Sequence, residues 1–351
     1  MAEENQTTHK RRVRYSGKYP KKFEEKYKEL QPEKYQDTIE HVIKKGNTPA
    51  GMHISIMVNE ILDFLKIQPG ETGFDATLGY GGHTKAMLQC LKGQGHIYAT
   101  DVDPEESART RKRLEEAGFG EDILTIRLQN FCTIDEIAKE AGGFDFILAD
   151  LGVSSMQIDN PKRGFSFKVD GPLDLRLNQE AGISAAERLA AITKDELAGM
   201  LYENSDEPYC EELAKAITDE IRKGNRIDTT TKLRNIIEKT LDFLPEKEKK
   251  DTIKKTCQRT FQALRIDVNR EFEVLYEFME KLPDALKPGG RAAILTFHSG
   301  EDKLVKKALK EGYRAGIYAD YAKDVIRPSA QECAQNGRAR STKMRWAIKA
   351  E

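Results

Sequence analysis

The stretch Asp75-Ala76-Thr77-Leu78-Gly79-Tyr80-Gly81-Gly82-His83 constrains this chain more than any other part of it. It follows a strand-like segment, Glu71–Ala76, and opens an apolar helical one, Thr84–Leu91. A strand-to-helix turn of this kind needs glycine, because only a backbone without Cβ turns so tightly while a ligand approaches it closely. A second strand, His96–Asp101, ends in a carboxylate nineteen residues beyond Gly82, where such folds place an acceptor for ribose hydroxyls. Strand, glycine loop, helix, strand and acid together read as a nucleoside site. A dinucleotide fingerprint would carry a third glycine three residues after Gly81, and Thr84 stands there instead. With His83 wedged into the loop, a pyrophosphate cradle is disfavoured and S-adenosylmethionine is favoured over NAD.

The surrounding text keeps alternating. Pro104–Gly118 reads as a charged helix, Leu124–Leu128 as a third strand, and Phe144–Asp150 as a fourth. The fourth is short and almost continuously apolar, the pattern of a strand buried on both faces. Strands separated by helices imply an α/β fold with a doubly wound, mostly parallel sheet. Between about Asp159 and Thr260 the alternation stops, and Ser184–Leu201, Tyr209–Lys223 and Thr231–Leu244 carry helical periodicity. It resumes with a helix over Glu271–Leu286, a turn at Lys287–Gly290 and a strand over Arg291–Phe297. The simplest organisation is a basic extension at 1–50, a sheet domain built from 51–158 plus 261–351, and an inserted helical domain at 159–260.

Charge is nearly balanced over 351 residues, with 57 Lys+Arg against 58 Asp+Glu, which excludes a uniformly basic binder. Position matters more than the total: residues 1–50 sum to +4 and the rest to −5. Lys10–Lys22 holds seven basic residues, no acid and two tyrosines, a composition suited to phosphates and stacked bases. Five scattered cysteines without a C-x-x-C pair fit buried thiols in a reducing compartment, not a disulfide framework or zinc site. With a polar N-terminus and no long apolar run, a cytoplasmic, membrane-free protein is expected.

Eight blocks, in order, resemble the 16S ribosomal RNA cytosine-N4 methyltransferases of the MraW or RsmH type. They are His53–Glu60, Gly79–His83, Asp150–Gln157, Arg163–Phe167, Asp170–Arg176, Arg259–Ile266, Phe297–Ser299 and Arg338–Ser341. The resemblance implies a Rossmann-like class I methyltransferase fold with an inserted helical domain. It also implies S-adenosyl-L-methionine as cofactor and no metal. The partners it implies are 16S rRNA and the small ribosomal subunit, with a decoding-centre cytosine as acceptor and a homodimer left open. Carried over by motif, Gly81, Gly82, His83 and Asp101 would bind the cofactor at the loop and ribose, Phe131 near the adenine, and Asp150 and Gln157 near the methionine end. Met156, Gly300 and Gly337 depart from the family pattern, where proline, leucine and proline are usual.

Methyl transfer from a sulfonium is an in-line displacement in which alignment and exclusion of water do most of the work. A cytosine amine is a poor nucleophile, its lone pair being delocalised into the ring, so acceptors must hold it. Asp174 and His298 are polar candidates for handling that amine, and no catalytic base is assigned. Phe165 and Phe167 beside Arg163 would offer either a stacking wall or a contact between domains. Arg338, Arg340, Lys343 and Arg345, around a final strand, would grip phosphates together with Lys10–Lys22. Other methyl acceptors, or a non-catalytic rRNA-binding role, are the competing readings.

Overall fold

The computed structural model describes residues 55–351. The expected basic extension at 1–50, Lys10–Lys22 within it, and the beginning of the His53–Glu60 block lie outside the described residues. Seven strands form one sheet: β1 (Thr72–Asp75), β2 (His96–Asp101), β3 (Leu124–Leu128), β4 (Phe144–Asp150), β5 (Leu286–Thr296), β6 (Tyr318–Tyr321) and β7 (Lys343–Lys349). Their order is β3-β2-β1-β4-β5-β7-β6. The first five are parallel to their neighbours, and β7 runs antiparallel between β5 and β6. This is the doubly wound, Rossmann-like sheet expected from the alternating text.

Helices α1 (Val58–Leu65), α2 (Gly82–Leu91), α3 (Pro104–Glu116), α4 (Ile134–Ala141) and α5 (Ser155–Asp159) fall in the first half of the sheet domain. The middle of the chain supplies α6 (Ala185–Ala191), α7 (Lys194–Ser205), α8 (Cys210–Arg222), α9 (Thr230–Thr240) and α10 (Glu246–Asn269). Helices α11 (Glu271–Ala285), α12 (Ser299–Arg314) and α13 (Ala330–Gln335) complete the set. No described helix is long and apolar enough to cross a membrane.

Alternation along the central strands divides the sheet's core in two. Phe146 and Leu148 of β4 and Ala293 and Leu295 of β5 join α1, α2 and α3 on one face. Ile147, Ala149, Ala292 and Ile294 join α4, α11 and α12 on the other. Both sides of β4 and β5 are thus covered, which is why these strands read as unbroken apolar runs. A third core, from Leu173 to Leu264, belongs to the helical stretch. Helix α10 runs through position 260 without a break and stops only where Arg270 turns left-handed, at φ 52°.

Two local expectations differ from the structure. The helix expected over Ser184–Leu201 is two helices, because Thr193 and Glu196 form a capping box that starts α7 one residue after Ile192 turns extended. The turn expected at Lys287–Gly290 is a bulge inside β5. Leu286 pairs with Phe144 and Arg291 with Phe146 on β4, and the residues between them loop out.

Gly73 of β1 lies opposite Phe146 of β4, and a Cβ on it would stand 2.0 Å from the ring. Close-packed interiors do not absorb such an overlap. Gly73→Ala is therefore expected to lower the unfolding free energy by about 1–3 kcal/mol. Urea denaturation followed by circular dichroism checks this, and an unchanged midpoint would refute the packing account.

Candidate active site

The C-terminal ends of β1, β2 and β4 meet around a cavity of about 370 Å³, within the size range of small-molecule sites. The loop between β1 and α2 forms its floor. Gly81 caps α2 at φ 81°, in the left-handed region, and a Cβ there would stand 2.6 Å from Thr110 Cγ2. At Gly82 a Cβ would stand 2.0 Å from Ser55 Oγ. Glycine at both positions lets the loop pack closely against Thr110 and Ser55. The loop is tied down by Asp75, only 1% exposed, which accepts from Thr84 Oγ1 at 2.6 Å and from the Thr77 amide at 3.0 Å. This explains Thr84 at the third-glycine position: its hydroxyl locks the first turn of α2 to the end of β1. Burial pushes the Asp75 carboxyl up.

Asp101, at the end of β2, accepts from the Gly79 amide at 2.8 Å and the Asp103 amide at 2.9 Å. Burial raises its carboxyl to about 6 despite these two donors. Asp103 caps α3, accepting from the Glu105 and Glu106 amides. Its Oδ2 also takes Gln157 Nε2 at 3.0 Å and Arg163 Nη1 at 2.8 Å. Gln157 closes a capping box with Ser154 at the start of α5. Phe131 packs edge-on against Phe278, with centroids 5.2 Å apart.

His83 and Asp150 face each other across the cavity wall. His83 Nε2 is 2.9 Å from the Ile56 carbonyl, which can only accept, so this nitrogen carries a proton. Nδ1 stands 3.4 Å from Asp150 Oδ2 and donates to it only when the ring is charged. Burial alone opposes that charge, but the Asp150 carboxylate outweighs it and lifts His83 to about 8. The other oxygen, Asp150 Oδ1, is buried without a hydrogen-bond partner. A buried carboxylate oxygen without a donor is a polar group that the protein's described residues leave unsatisfied.

Gly81, Gly82, His83, Asp101, Phe131, Asp150 and Gln157 all line this one cavity. Asp174 and His298 are not among its lining residues. Asp174 is forked by Arg176, which donates from Nε at 2.9 Å and Nη2 at 2.8 Å. Although burial opposes its charge, these bonds hold its carboxyl below the usual range. His298 sits behind the wall, 3.1 Å from Glu301 and 5.7 Å from the Phe272 ring. Phe272 also explains Gly300, since a leucine Cβ there would meet its ring at 2.5 Å.

The far end of the cavity is lined by residues that the glycine-loop argument could not reach, among them Arg265, Asn269, Glu271, Glu301 and Arg338. Arg265 grips Glu271 through two bonds of 2.8 Å. Asn269 donates to the Leu175 carbonyl and accepts from the Leu177 amide, both at 2.8 Å. It thereby holds Leu175, a buried residue at φ 63°, in a backbone conformation that β- or γ-branched side chains rarely adopt. Among the described residues, Glu271, His298 and Glu301 bring possible metal-ligand atoms within 4.8 Å of one another. Both Glu271 oxygens are already taken by Arg265, and Glu301 Oε2 accepts from the Phe297 amide.

Several basic residues expected to meet phosphates are engaged within the protein. Arg163 is 4% exposed and reaches Asp103 and the Leu177 carbonyl. Arg345 is equally buried and pairs with Asp302, as does Lys343. Arg338 pairs with Asp159. Arg340 alone of the four near the C-terminus is exposed without an ion pair among the described residues. Phe165 and Phe167 pack on the core of the helical stretch, Phe167 edge-on to Phe261.

The His83–Asp150 pair has a testable signature. Between about 6.5 and 8 the folded ring holds a proton that the unfolded ring releases, so its contribution is complete below pH 6.5 and lost as pH rises through 8. The loss expected is about 2 kcal/mol. Urea unfolding from pH 6 to pH 9 should show this decline in the parent chain and a flatter profile in His83→Gln; parallel profiles would remove His83 as its source.

Residues 50–350 match the MraW methylase family. A relative from Agathobacter rectalis, Ribosomal RNA small subunit methyltransferase H 1, is 86% identical over the full length of both chains. Ribosomal RNA small subunit methyltransferase H of Koribacter versatilis is 36% identical, covering 85% of this chain and 94% of its own. Among solved structures, a SAM-dependent O-methyltransferase from Thermotoga maritima aligns with 90% of this chain and 71% of its own at 11% identity and a TM-score of 0.40. The match along nearly the whole described chain, together with these two relatives, means that the protein belongs to the MraW methylase family.

Proposed function

We propose that this protein is an S-adenosylmethionine-dependent methyltransferase that methylates N4 of a decoding-centre cytosine in the 16S rRNA of the small ribosomal subunit. The observation that carries the reading is the single cavity that joins the glycine loop and Asp101 at one end to Arg265, Asn269 and Glu271 at the other. A donor site and an acceptor site that share one wall satisfy the alignment requirement of an in-line transfer. The names of the relatives, which act on small-subunit ribosomal RNA, supply the acceptor class.

The residues fit the cofactor. Gly81 and Gly82 leave room at the loop, Asp101 offers its carboxylate to ribose hydroxyls, and Phe131 gives an aromatic wall for adenine. Gln157, anchored on Asp103, and Asp150 serve the methionine end, where the unpartnered Oδ1 of Asp150 favours positive charge. S-adenosylmethionine, when bound, supplies an activated methyl group. The His83 ring, 3.4 Å from Asp150, holds that carboxylate in place. Asp174 is tied to Arg176 and serves the turn that leads into the helical stretch, and His298 supports Glu301 from behind the wall. An acceptor base must enter unpaired or splayed from its stack, since an enzyme that does chemistry on a base cannot reach its target atom inside a duplex.

Incubation with methyl-labelled cofactor and small subunits lacking the modification should transfer label to 16S rRNA, and nucleoside mass spectrometry should identify N4-methylcytosine. Asp101→Ala is expected to abolish cofactor binding measured by calorimetry. Label appearing on another nucleoside, or on protein, would overturn the acceptor assignment while leaving the cofactor reading intact.

A further inference from the structure

Helix α12 starts at the cavity, where Phe297 and Glu301 form part of the wall, and leads away from it over the surface. Its two first-turn acids are turned inward. Glu301 is 4% exposed, and Asp302, 8% exposed, is held by Lys343 and Arg345. The outward side carries Lys303, Lys307, Lys310 and Arg314, with Lys306 on its flank, all exposed. Steps of four, three and four residues place the first four on one face, over about 16 Å of helix. Among the described residues none of these five cations has an ion-pair or hydrogen-bond partner.

The fold gives no reason for this arrangement. Like charges three and four residues apart weaken a helix, and several other surface helices here interleave acids with their cations: Lys215 pairs with Asp219, Lys232 with Asp228, and Arg234 with Glu238. Of the acids on the elements packed against α12, Glu277 of α11 pairs with Lys281, Glu280 interacts with the Tyr276 hydroxyl, and Asp320 of β6 accepts from the Tyr321 amide, while Glu273 and Asp284 of α11 are exposed without an ion pair among the described residues. Glu311 is the one acid on the exposed side of α12 itself, on the flank near Tyr276. The outward face of α12 thus carries a row of cations unpaired among the described residues, on a helix whose first turn contributes Glu301 to the cavity wall.

We propose that the Lys303–Lys307–Lys310–Arg314 face is a track for the phosphate backbone of the RNA strand whose base enters the cavity. The inference rests on the reading of the substrate as RNA. Flexible lysines in a line suit a phosphate chain, which needs point charges at intervals and no fixed donor geometry. Such charges select no sequence. They hold the strand in register with the cavity and raise its local concentration there.

The test uses the full chain carrying K303Q, K307Q, K310Q and R314Q together, with a labelled small-subunit rRNA fragment and fluorescence anisotropy across a salt series. Every phosphate that is no longer neutralised should reduce the slope of log affinity against log salt by about 0.7, so about 3 in all. The KM for RNA should rise at least tenfold, while the affinity for S-adenosylmethionine and kcat at saturating RNA stay unchanged. A second variant, K303R, K307R and K310R, keeps the charge and should keep the parent slope. A third, K247Q, K250Q, K254Q and K255Q, removes four exposed lysines from α10 and should change the slope much less. An unchanged slope in the first variant, or an equal loss in the third, overturns the track while RNA binding by the parent still supports the substrate reading. A parent chain that binds no RNA at any salt overturns both.

Discussion

The carboxylate of Asp103 is the interaction on which the rest of the site depends. It is 1% exposed, and a charge so deeply placed is tolerated only when its oxygens are fully engaged. Oδ1 takes the two free amides at the start of α3, while Oδ2 takes Gln157 and the guanidinium of Arg163. Its own amide donates to Asp101. One residue thus orients Asp101 at the end of β2, the glutamine of α5 and the arginine that braces the Leu177 carbonyl on the way to the helical stretch. Breaking such a pair by removing one partner typically costs about 3–5 kcal/mol, so the cavity and the entry to the helical stretch are bound to change together.

A second constraint is the sign of the charge inside the cavity. His83 is placed so that it must carry a proton to satisfy both the Ile56 carbonyl and Asp150. That positive charge faces one Asp150 oxygen, while the other is buried without a hydrogen-bond partner among the described residues. Asp101, by contrast, has only backbone amides as donors among the described residues and stays partly protonated near pH 6.

The balanced total charge conceals a sorting of cations by depth. Arginines are spent inside, as Arg163 on Asp103, Arg265 on Glu271 and Arg345 on Asp302, where charge-assisted bonds, two of them for Arg265, offset desolvation. Lysines with mobile ammonium groups remain on the surface of α12. The arginine-rich C-terminal segment looked in sequence like the phosphate-binding element, yet most of its cations hold the sheet edge together and an otherwise ordinary helix carries the free ones.

The alternating strands and helices, the glycine loop and the acid after β2 were legible in the residues, because each is dictated by local chemistry: apolar runs for buried strands, missing Cβ atoms for the turn, a carboxylate at a strand end. Of the seven residues expected at the cofactor, all of which line the cavity, the glycine loop and Asp101 follow from local chemistry, whereas Phe131, Asp150 and Gln157 are legible only through the family resemblance. Tertiary structure alone decided the partners. Nothing near Arg163 in the chain announces Asp103, sixty residues earlier, and nothing near Arg265, Asn269 or Glu271 announces a cavity wall. Asp174 is the exception, occupied by an arginine only two residues away, whereas the availability of the β7 cations depended on Asp302 of a neighbouring helix. Periodicity reports which side of an element is buried, but a buried charge is resolved by whichever opposite charge the fold brings within 3 Å, and that distance is not written in the order of the residues.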